Sequence, residues 1–292
     1  MGNKQTMSYF LDNLEQYEGQ IGGHHSDNGS PTEDGNQGVA LHIFENIGVE
    51  YGYVLDIGAF SKKASNVVPI MEKYNIGGLL LDGDNKYNDP EITKVWITKD
   101  NMVSLLEKYN CPKNLDYISV DIDNMDYWIM KSLLEGGYKS NVIIAEFNPI
   151  WSRKEACTKK YFENTRKADG DTGYSSNYGV SLYGLVKLFS EHGYRLVHVM
   201  KQNQHGDPSS NNAFFIQERF DTENKFENQE EVLKQVFPTP FIEPFKLDGN
   251  IRKFGTSSLH LKTKTSRTSS TILFILSFIK IYPPIGKCKF SA

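Results

Sequence analysis

At 292 residues, with 39% hydrophobic and 23% charged positions, the chain has the make-up of an ordinary globular protein and is long enough to bury a substantial core. Its formal charge of −4 is unevenly spread: from Gly249 onward there are eight Lys or Arg and no acid, so the first 248 residues carry −12. An acidic body argues against a nucleic-acid-binding surface, and Cys111, Cys157 and Cys288 have no paired spacing, which argues against a disulfide framework or a zinc site and points to a reducing, cytoplasmic setting.

In chain order, residues 1–37 form a polar N-terminal segment. It lacks the apolar core of a signal peptide, although Met-Gly with Thr6 fits a short myristoylation pattern by accident. Short apolar runs rich in Val, Ile and Leu then predict strands at 53–57, 78–82, 94–98, 116–121, 142–147, 194–200 and 213–218. Between them, apolar residues recur at helical spacing. Val67, Ile70, Met71 and Tyr74 follow Ser65 as N-cap, and Met102, Leu105, Leu106 and Tyr109 follow Asp100. A third helix covers 127–135, and Leu182, Leu185, Val186 and Phe189 lie between Ser181 as cap and Gly193 as stop.

This alternation predicts an α/β fold, a doubly wound, Rossmann-like sheet of seven strands over residues 38–220. The link from 201 to 212 is polar and shows no helical pattern, so the last strand should pair antiparallel with its predecessor. Seven strands with that ending are the plan of the class I methyltransferase sheet. Residues 148–180 read as a lid-like insertion. Residues 221–292 form an appendage with a short helix near 230–237 and a basic, partly apolar tail. The tail's longest apolar run, about ten residues before Lys280, is too short to cross a bilayer, and no transmembrane helix is expected.

In such a sheet ligands lie beyond the carboxyl ends of the strands. Four of those ends carry polar groups: "VLDIGAF" with Asp56 and Gly58, "LLLDGDN" with Asp82 and Asp84, "SVDIDNMD" with Asp121, Asp123 and Asp126, and "AEFNP" with Glu146 and Asn148. Gly58 allows a sharp bend and a close backbone approach. An acid 24 residues later, Asp82, is placed to accept hydrogen bonds from ribose hydroxyls. The two further glycines that cradle a pyrophosphate are missing, which favours S-adenosylmethionine, a nucleoside cofactor without phosphates, over NAD.

The blocks "VLDIGAF…SN", "GGLLLDGD", "LDYISVDIDNMDYWIMKSL", "VIIAEFNP", "SLYGLVKLFSEHGYRLV" and "NNAFFI" resemble FkbM-type methyltransferases over residues 35 to 220. These are class I S-adenosylmethionine-dependent enzymes, often O-methyltransferases of sugars or natural products. The resemblance implies that Asp56 and Gly58 line the methionine end of the cofactor and that Asp82 binds its ribose. It also puts Asp84 or the Asp100–Asn101 region near the adenine, and Asp121 facing the substrate. The chain departs from the family's pattern at Phe60 to Lys63 and at Asn124, where the family has a glycine or acid and a glycine respectively.

Three readings of the aspartates after the fourth strand compete. Asp121 and Asp123, with Glu146 or Asn148, could position a substrate hydroxyl or hold Mg²⁺ through Asp121, Asp123 and Glu146. Asp126 or Asn124 could simply cap the next helix, the reading preferred for Asp126. Asp121-Ile122-Asp123 could be the D-x-D of a metal-dependent nucleotide-sugar glycosyltransferase. Trp151, Tyr174 and Tyr178 could stack on an acceptor; His24, His25 and Asp27 fit a solvated loop better than a metal site. His192 suits the end of a helix, and nothing fixes His205 at the crevice. The expectation is an S-adenosylmethionine-dependent O-methyltransferase of a small-molecule or glycan-like acceptor, with a glycosyltransferase or a non-catalytic binding domain as alternatives.

Overall fold

The computed structural model describes residues 11–18, 36–122, 124–148, 155–161, 179–200, 212–236, 245–247 and 250–252. Its elements run α1 Asn36–Ile47, β1 Tyr53–Ile57, α2 Val68–Tyr74, β2 Gly77–Asp82, β3 Ile92–Lys94, α3 Met102–Lys108, β4 Asn114–Val120, α4 Asp126–Glu135, β5 Lys139–Glu146, α5 Leu182–Ser190, β6 Tyr194–Val199, β7 Asn212–Gln217 and α6 Gln229–Val236. A separate hairpin, β8 Phe245–Leu247 with β9 Asn250–Arg252, follows. Among the described residues no helix is long and apolar enough to cross a membrane.

Seven strands form one sheet in the order β3-β2-β1-β4-β5-β7-β6. The pairs from β3 through β5 are parallel, while β7 runs antiparallel to both β5 and β6. The expected α/β fold and mainly parallel seven-stranded sheet are therefore present. The last strand does more than pair with its predecessor: it inserts between β5 and β6. Polar groups at the amino end of β5 hold it there. The Tyr194 hydroxyl donates to the Ser140 carbonyl and accepts from the Ser140 N–H, both at 2.9 Å, and the Gln217 side chain donates to the same carbonyl at 2.8 Å. Phe189 on α5 then packs on Phe215 of β7 with ring centroids 4.4 Å apart.

The buried core follows the apolar runs that mark the strands, with Val54, Leu55, Ile57, Ile118, Val142, Ile143 and Ile144 essentially inaccessible. Helices α1 and α2 pack together, and α3, α4 and α5 form a second connected group. Residues 11–18 strap the molecule from outside: Leu11 and Leu14 are buried, Tyr17 stacks on His42 at 3.7 Å, and the Glu18 carboxylate meets His198 Nε2 at 2.7 Å.

Several local expectations change. The third strand is Ile92–Lys94 rather than 94–98. The Asn85 side chain donates to the Asp89 and Ile92 carbonyls at 2.9 and 3.1 Å and fixes the turn into the strand. Asn101 then bends 96–98 out of the sheet by accepting from Thr98 N and donating to the Trp96 carbonyl. Ser65 does not cap α2, which starts from Val67 with proline in its first turn and no side-chain cap. Ser181 does cap α5, accepting from Gly184 N. The His192 ring lies 2.9 Å from the Leu188 carbonyl near the end of that helix, as expected.

One buried acid organises the amino end of the sheet. Asp116, fully buried on β4, accepts from the N–H groups of Glu50, Tyr51 and Gly52 at 2.6, 3.2 and 2.7 Å and from the Asn141 amide at 3.3 Å. It closes the turn that feeds β1. Asp116→Ala leaves these donors without an acceptor and should cost about 3 kcal/mol in urea unfolding; a loss below about 1 kcal/mol would mean that water replaces the carboxylate.

Candidate functional site

The chain runs outward from β1 to β2 and β3, then returns to the other side of β1 as β4. Segments leaving the carboxyl ends of β1 and β4 part in opposite directions, and a crevice opens between them. It is small and open to solvent, bordered by Asp56, Gly58, Phe60, Ser65, Asn66 and Asp121.

Gly58 is the hinge of this crevice. Its φ is +89°, and a Cβ there would stand 1.6 Å from the Asp121 carbonyl oxygen, so only glycine fits. The two backbones are stitched on both sides: Asp121 N–H donates to the Ile57 carbonyl at 2.9 Å, while Gly58 and Ala59 N–H share the Leu81 carbonyl of β2 at 2.9 and 3.1 Å. Residues 59–61 continue in a tight turn closed by Ser61 N–H donating to the Ala59 carbonyl at 2.5 Å. At its centre Phe60 has a φ of +51°, the strained hand of the γ-turn, which costs a bulky residue about 1–2 kcal/mol.

Asp56 points beneath this turn. It is 2% exposed and accepts from the Ser65 hydroxyl at 2.5 Å. Burial raises its pKa to about 6, against the opposing hydrogen bonds from Ser65, Ser119 and the Asn66 backbone; the Asp82 charge adds a smaller upward push. Asn66 in turn donates to Ser119 Oγ at 3.2 Å and accepts from the Asn36 amide at 3.3 Å, linking β4 and α1 to the crevice. Ser65, Asn66 and Ser119 were missed as site residues. A lone serine inside the apolar run Ile118-Ser119-Val120 was the readable signal, since a fully buried hydroxyl requires a partner.

Asp82 ends β2 beside Gly58, as its spacing predicts, but its carboxylate already has local work. Oδ1 accepts from Asp84 and Asn85 N–H at 2.7 and 2.5 Å, and Oδ2 accepts from Phe60 N–H at 3.2 Å. Oδ2 keeps a second lone pair for a ligand hydroxyl. Neither Asp82 nor Asp84 nor Asp100 borders the crevice directly, and Asp84 and Asp100 are exposed.

Across the crevice the structure gathers carboxylate oxygens of Asp121, Asp126 and Glu146 within 4.8 Å of one another. Asp126 is here a member of the cluster, not a helix cap: α4 has Met125 at its N-cap position with no side-chain bond, and Asp126 is 1% exposed in the first turn. Its Oδ1 accepts from Ile122 N–H at 2.8 Å, which folds the segment after β4 back over the helix start. Asp123 and Trp151 lie outside the described residues, as do His24, His25, Asp27, Tyr174, Tyr178, His205 and the chain after Arg252. Asn148 is fully buried, its backbone N–H donating to the Val180 carbonyl at 2.7 Å. Three carboxylates this close repel by about 1 kcal/mol per pair even at the dielectric of water, which a cation, a shared proton or a ligand hydroxyl would relieve.

The chain matches no protein-family model, and a comparison with curated proteins found no match.

The buried Asp56 gives this site a pH signature. A free aspartate releases its proton near 3.8 and the folded one near 6, so the folded state holds the extra proton between those values. Stability from this group is complete below about pH 4 and falls as pH rises through 6, by on the order of 3 kcal/mol. Asp56→Asn should remove that slope. The stability difference between variant and wild type, measured by urea unfolding from pH 4 to 7, should move in the variant's favour as pH rises. A pH-independent difference would show that Asp56 is ionised throughout.

Proposed function

We propose that this protein is an S-adenosylmethionine-dependent methyltransferase that methylates a hydroxyl of a small-molecule or glycan-like acceptor. The observation that carries the reading is the sheet order β3-β2-β1-β4-β5-β7-β6 with β7 antiparallel, together with a glycine bend and an acid on adjacent strand ends at its reversal point. The two helix groups, α1 with α2 and α3 to α5, are what a doubly wound, Rossmann-like sheet carries on its two faces.

The residues fit the group. Gly58 borders the crevice that a methionyl moiety would enter, and Asp82 Oδ2 retains an acceptor position for ribose. When bound, S-adenosylmethionine supplies an electrophilic methyl on a sulfonium sulfur. The chain's own share is to hold the acceptor and take its proton. An acceptor hydroxyl among Asp121, Asp126 and Glu146 would pass its proton to a carboxylate as its oxygen bonds to the methyl carbon, and the carbon–sulfur electron pair would stay on sulfur. The same three carboxylates offer the oxygen donors that suit Mg²⁺, which would lower the hydroxyl's pKa instead.

Thermal unfolding with added ligands tests the reading. S-adenosylhomocysteine at about one hundred times its Kd should raise Tm by about 5 °C or more. Asp82→Ala should abolish that rise, judged against the variant's own Tm because its turn also depends on the carboxylate. Asp121→Asn should keep the rise and lose methyl transfer from labelled S-adenosylmethionine to a panel of hydroxylated acceptors. Stabilisation by UDP with Mn²⁺ and none by S-adenosylhomocysteine would overturn the proposal in favour of glycosyl transfer.

A further inference from the structure

Among the described residues four large hydrophobic side chains are exposed: Tyr51 at 39%, Phe60 at 44%, Tyr87 at 59% and Trp96 at 39%. Single exposed aromatics are ordinary, but two of these, Phe60 and Tyr87, are paired on the segments that follow β1 and β2, and Trp96 lies on the segment after β3. The rings of Phe60 and Tyr87 meet edge to face, with centroids 5.2 Å apart and planes at 89°. Trp96 lies against Gly83, where a Cβ would come within 3.0 Å of its ring.

Phe60 is the member that the fold alone does not account for. Its backbone is held in the left-handed region, which glycine or asparagine would occupy at less cost, and almost half of its surface faces solvent. A residue that is both strained and exposed contributes little to folding, and such positions cluster where a ligand is gripped. Its position is also fixed relative to the acid: Phe60 N–H donates to Asp82 Oδ2 at 3.2 Å, and the Ala59 N–H before it is bonded to the Leu81 carbonyl. The ring therefore projects from a backbone locked to the carboxylate that a ribose would reach.

We infer that Phe60, backed by Tyr87, is the stacking platform for the planar base of a nucleoside whose ribose hydroxyls bind Asp82. The inference rests on the nucleoside-cofactor reading of the crevice and adds to it a positioning residue that acts through its ring face. Asp82 supplies hydrogen bonds that any ribose could make; the aromatic pair supplies the selection for a flat base. Ring stacking needs no particular base edge, so the side chain's aromatic character matters more than its size or shape.

Calorimetric titration of the full chain with S-adenosylhomocysteine and with S-ribosylhomocysteine, which keeps the ribose and lacks the base, separates the possibilities. The variants are F60G, which removes the ring and relaxes the backbone, F60L, which keeps a bulky apolar group without a ring face, and F60W, which restores a ring. F60G should unfold at or above the wild-type temperature, yet bind S-adenosylhomocysteine about tenfold more weakly. F60L should lose a similar factor and F60W should stay within about twofold of wild type, while S-ribosylhomocysteine binds wild type and F60G alike. Equal S-adenosylhomocysteine affinity in wild type, F60G and F60L would overturn the stacking role and leave the nucleoside site standing. Failure of the wild type to bind either compound would overturn the nucleoside reading and the platform with it.

Discussion

A side chain at position 58 would collide with the Asp121 carbonyl, and the rest of the crevice depends on that missing volume. Because Gly58 has no Cβ, the ends of β1 and β4 come together backbone to backbone, and Ile57 can accept from Asp121 while Leu81 accepts from Gly58 and Ala59. Three strand ends are thereby tied at one point. Everything proposed as functional leaves from it: the β1 turn with Phe60 toward β2, and the aspartates after β4 toward β5. Moving the hinge by even one methyl group would separate Asp82 from the turn it stabilises and Asp121 from its neighbours.

The aspartates at these strand ends look alike in sequence and do different things because their surroundings differ. Asp116 and Asp56 are both buried on adjacent strands, at opposite ends of the sheet. Asp116 meets several N–H donors from the turn before β1, so its two carboxyl oxygens have donors aimed at them. Asp56 has hydroxyl and amide partners too few to offset desolvation, and its pKa rises to about 6. Asp82 is half-exposed and divides its oxygens between its own turn and the β1 turn. Asp121 and Asp126 share their space with Glu146, their carboxylate oxygens within 4.8 Å of one another, and Asp126 also accepts from Ile122 N–H. In the proposed function a nucleoside carrying a reactive group would reach from Asp82 toward this cluster.

What was legible in the sequence was whatever a short window determines. The apolar run 53–57 is β1 as it stands, and Ser181 ahead of an amphipathic stretch is a true cap, because a strand's burial and a cap's hydrogen bond are both local. The third strand was misplaced because the side chains that decide it, Asn85 and Asn101, act on either side of the apolar run rather than within it. Ser65 and Asp126 both occupy positions where a cap is the usual reading, yet Ser65 donates to Asp56 of β1 and Asp126 accepts from Ile122 in the turn before its own helix. The left-handed backbone of Phe60 was invisible for a different reason. Its residue type gives no hint of positive φ; the conformation is imposed by hydrogen bonds to Leu81 and Asp82, residues more than twenty positions away. The insertion of β7 between β5 and β6 likewise depends on Ser140, Tyr194 and Gln217 meeting across three strands.

The two sides of the crevice also differ in how they are supported, and this bears on which side would meet an acceptor. The β1–β2–β3 side is built from short backbone-locked turns, suited to one unchanging ligand. The β4–β5 side adjoins residues 155–161 and 179–180, which are described next to α4 and the loop before it. Trp128 Nε1 donates to the Lys159 carbonyl at 2.8 Å, and the Lys99 ammonium sits 4.6 Å from the Tyr161 ring centroid. Thr158 bridges to Val180, and Gly179 N–H donates to Asn124 Oδ1 at 3.4 Å, within the loop that carries Asp121. These contacts tie residues 155–161 and 179–180 to the helix and loop that follow β4, so the aspartates are held from this side as well. Under the proposed function, the β1–β2–β3 side would grip the nucleoside and the β4–β5 side would meet the acceptor.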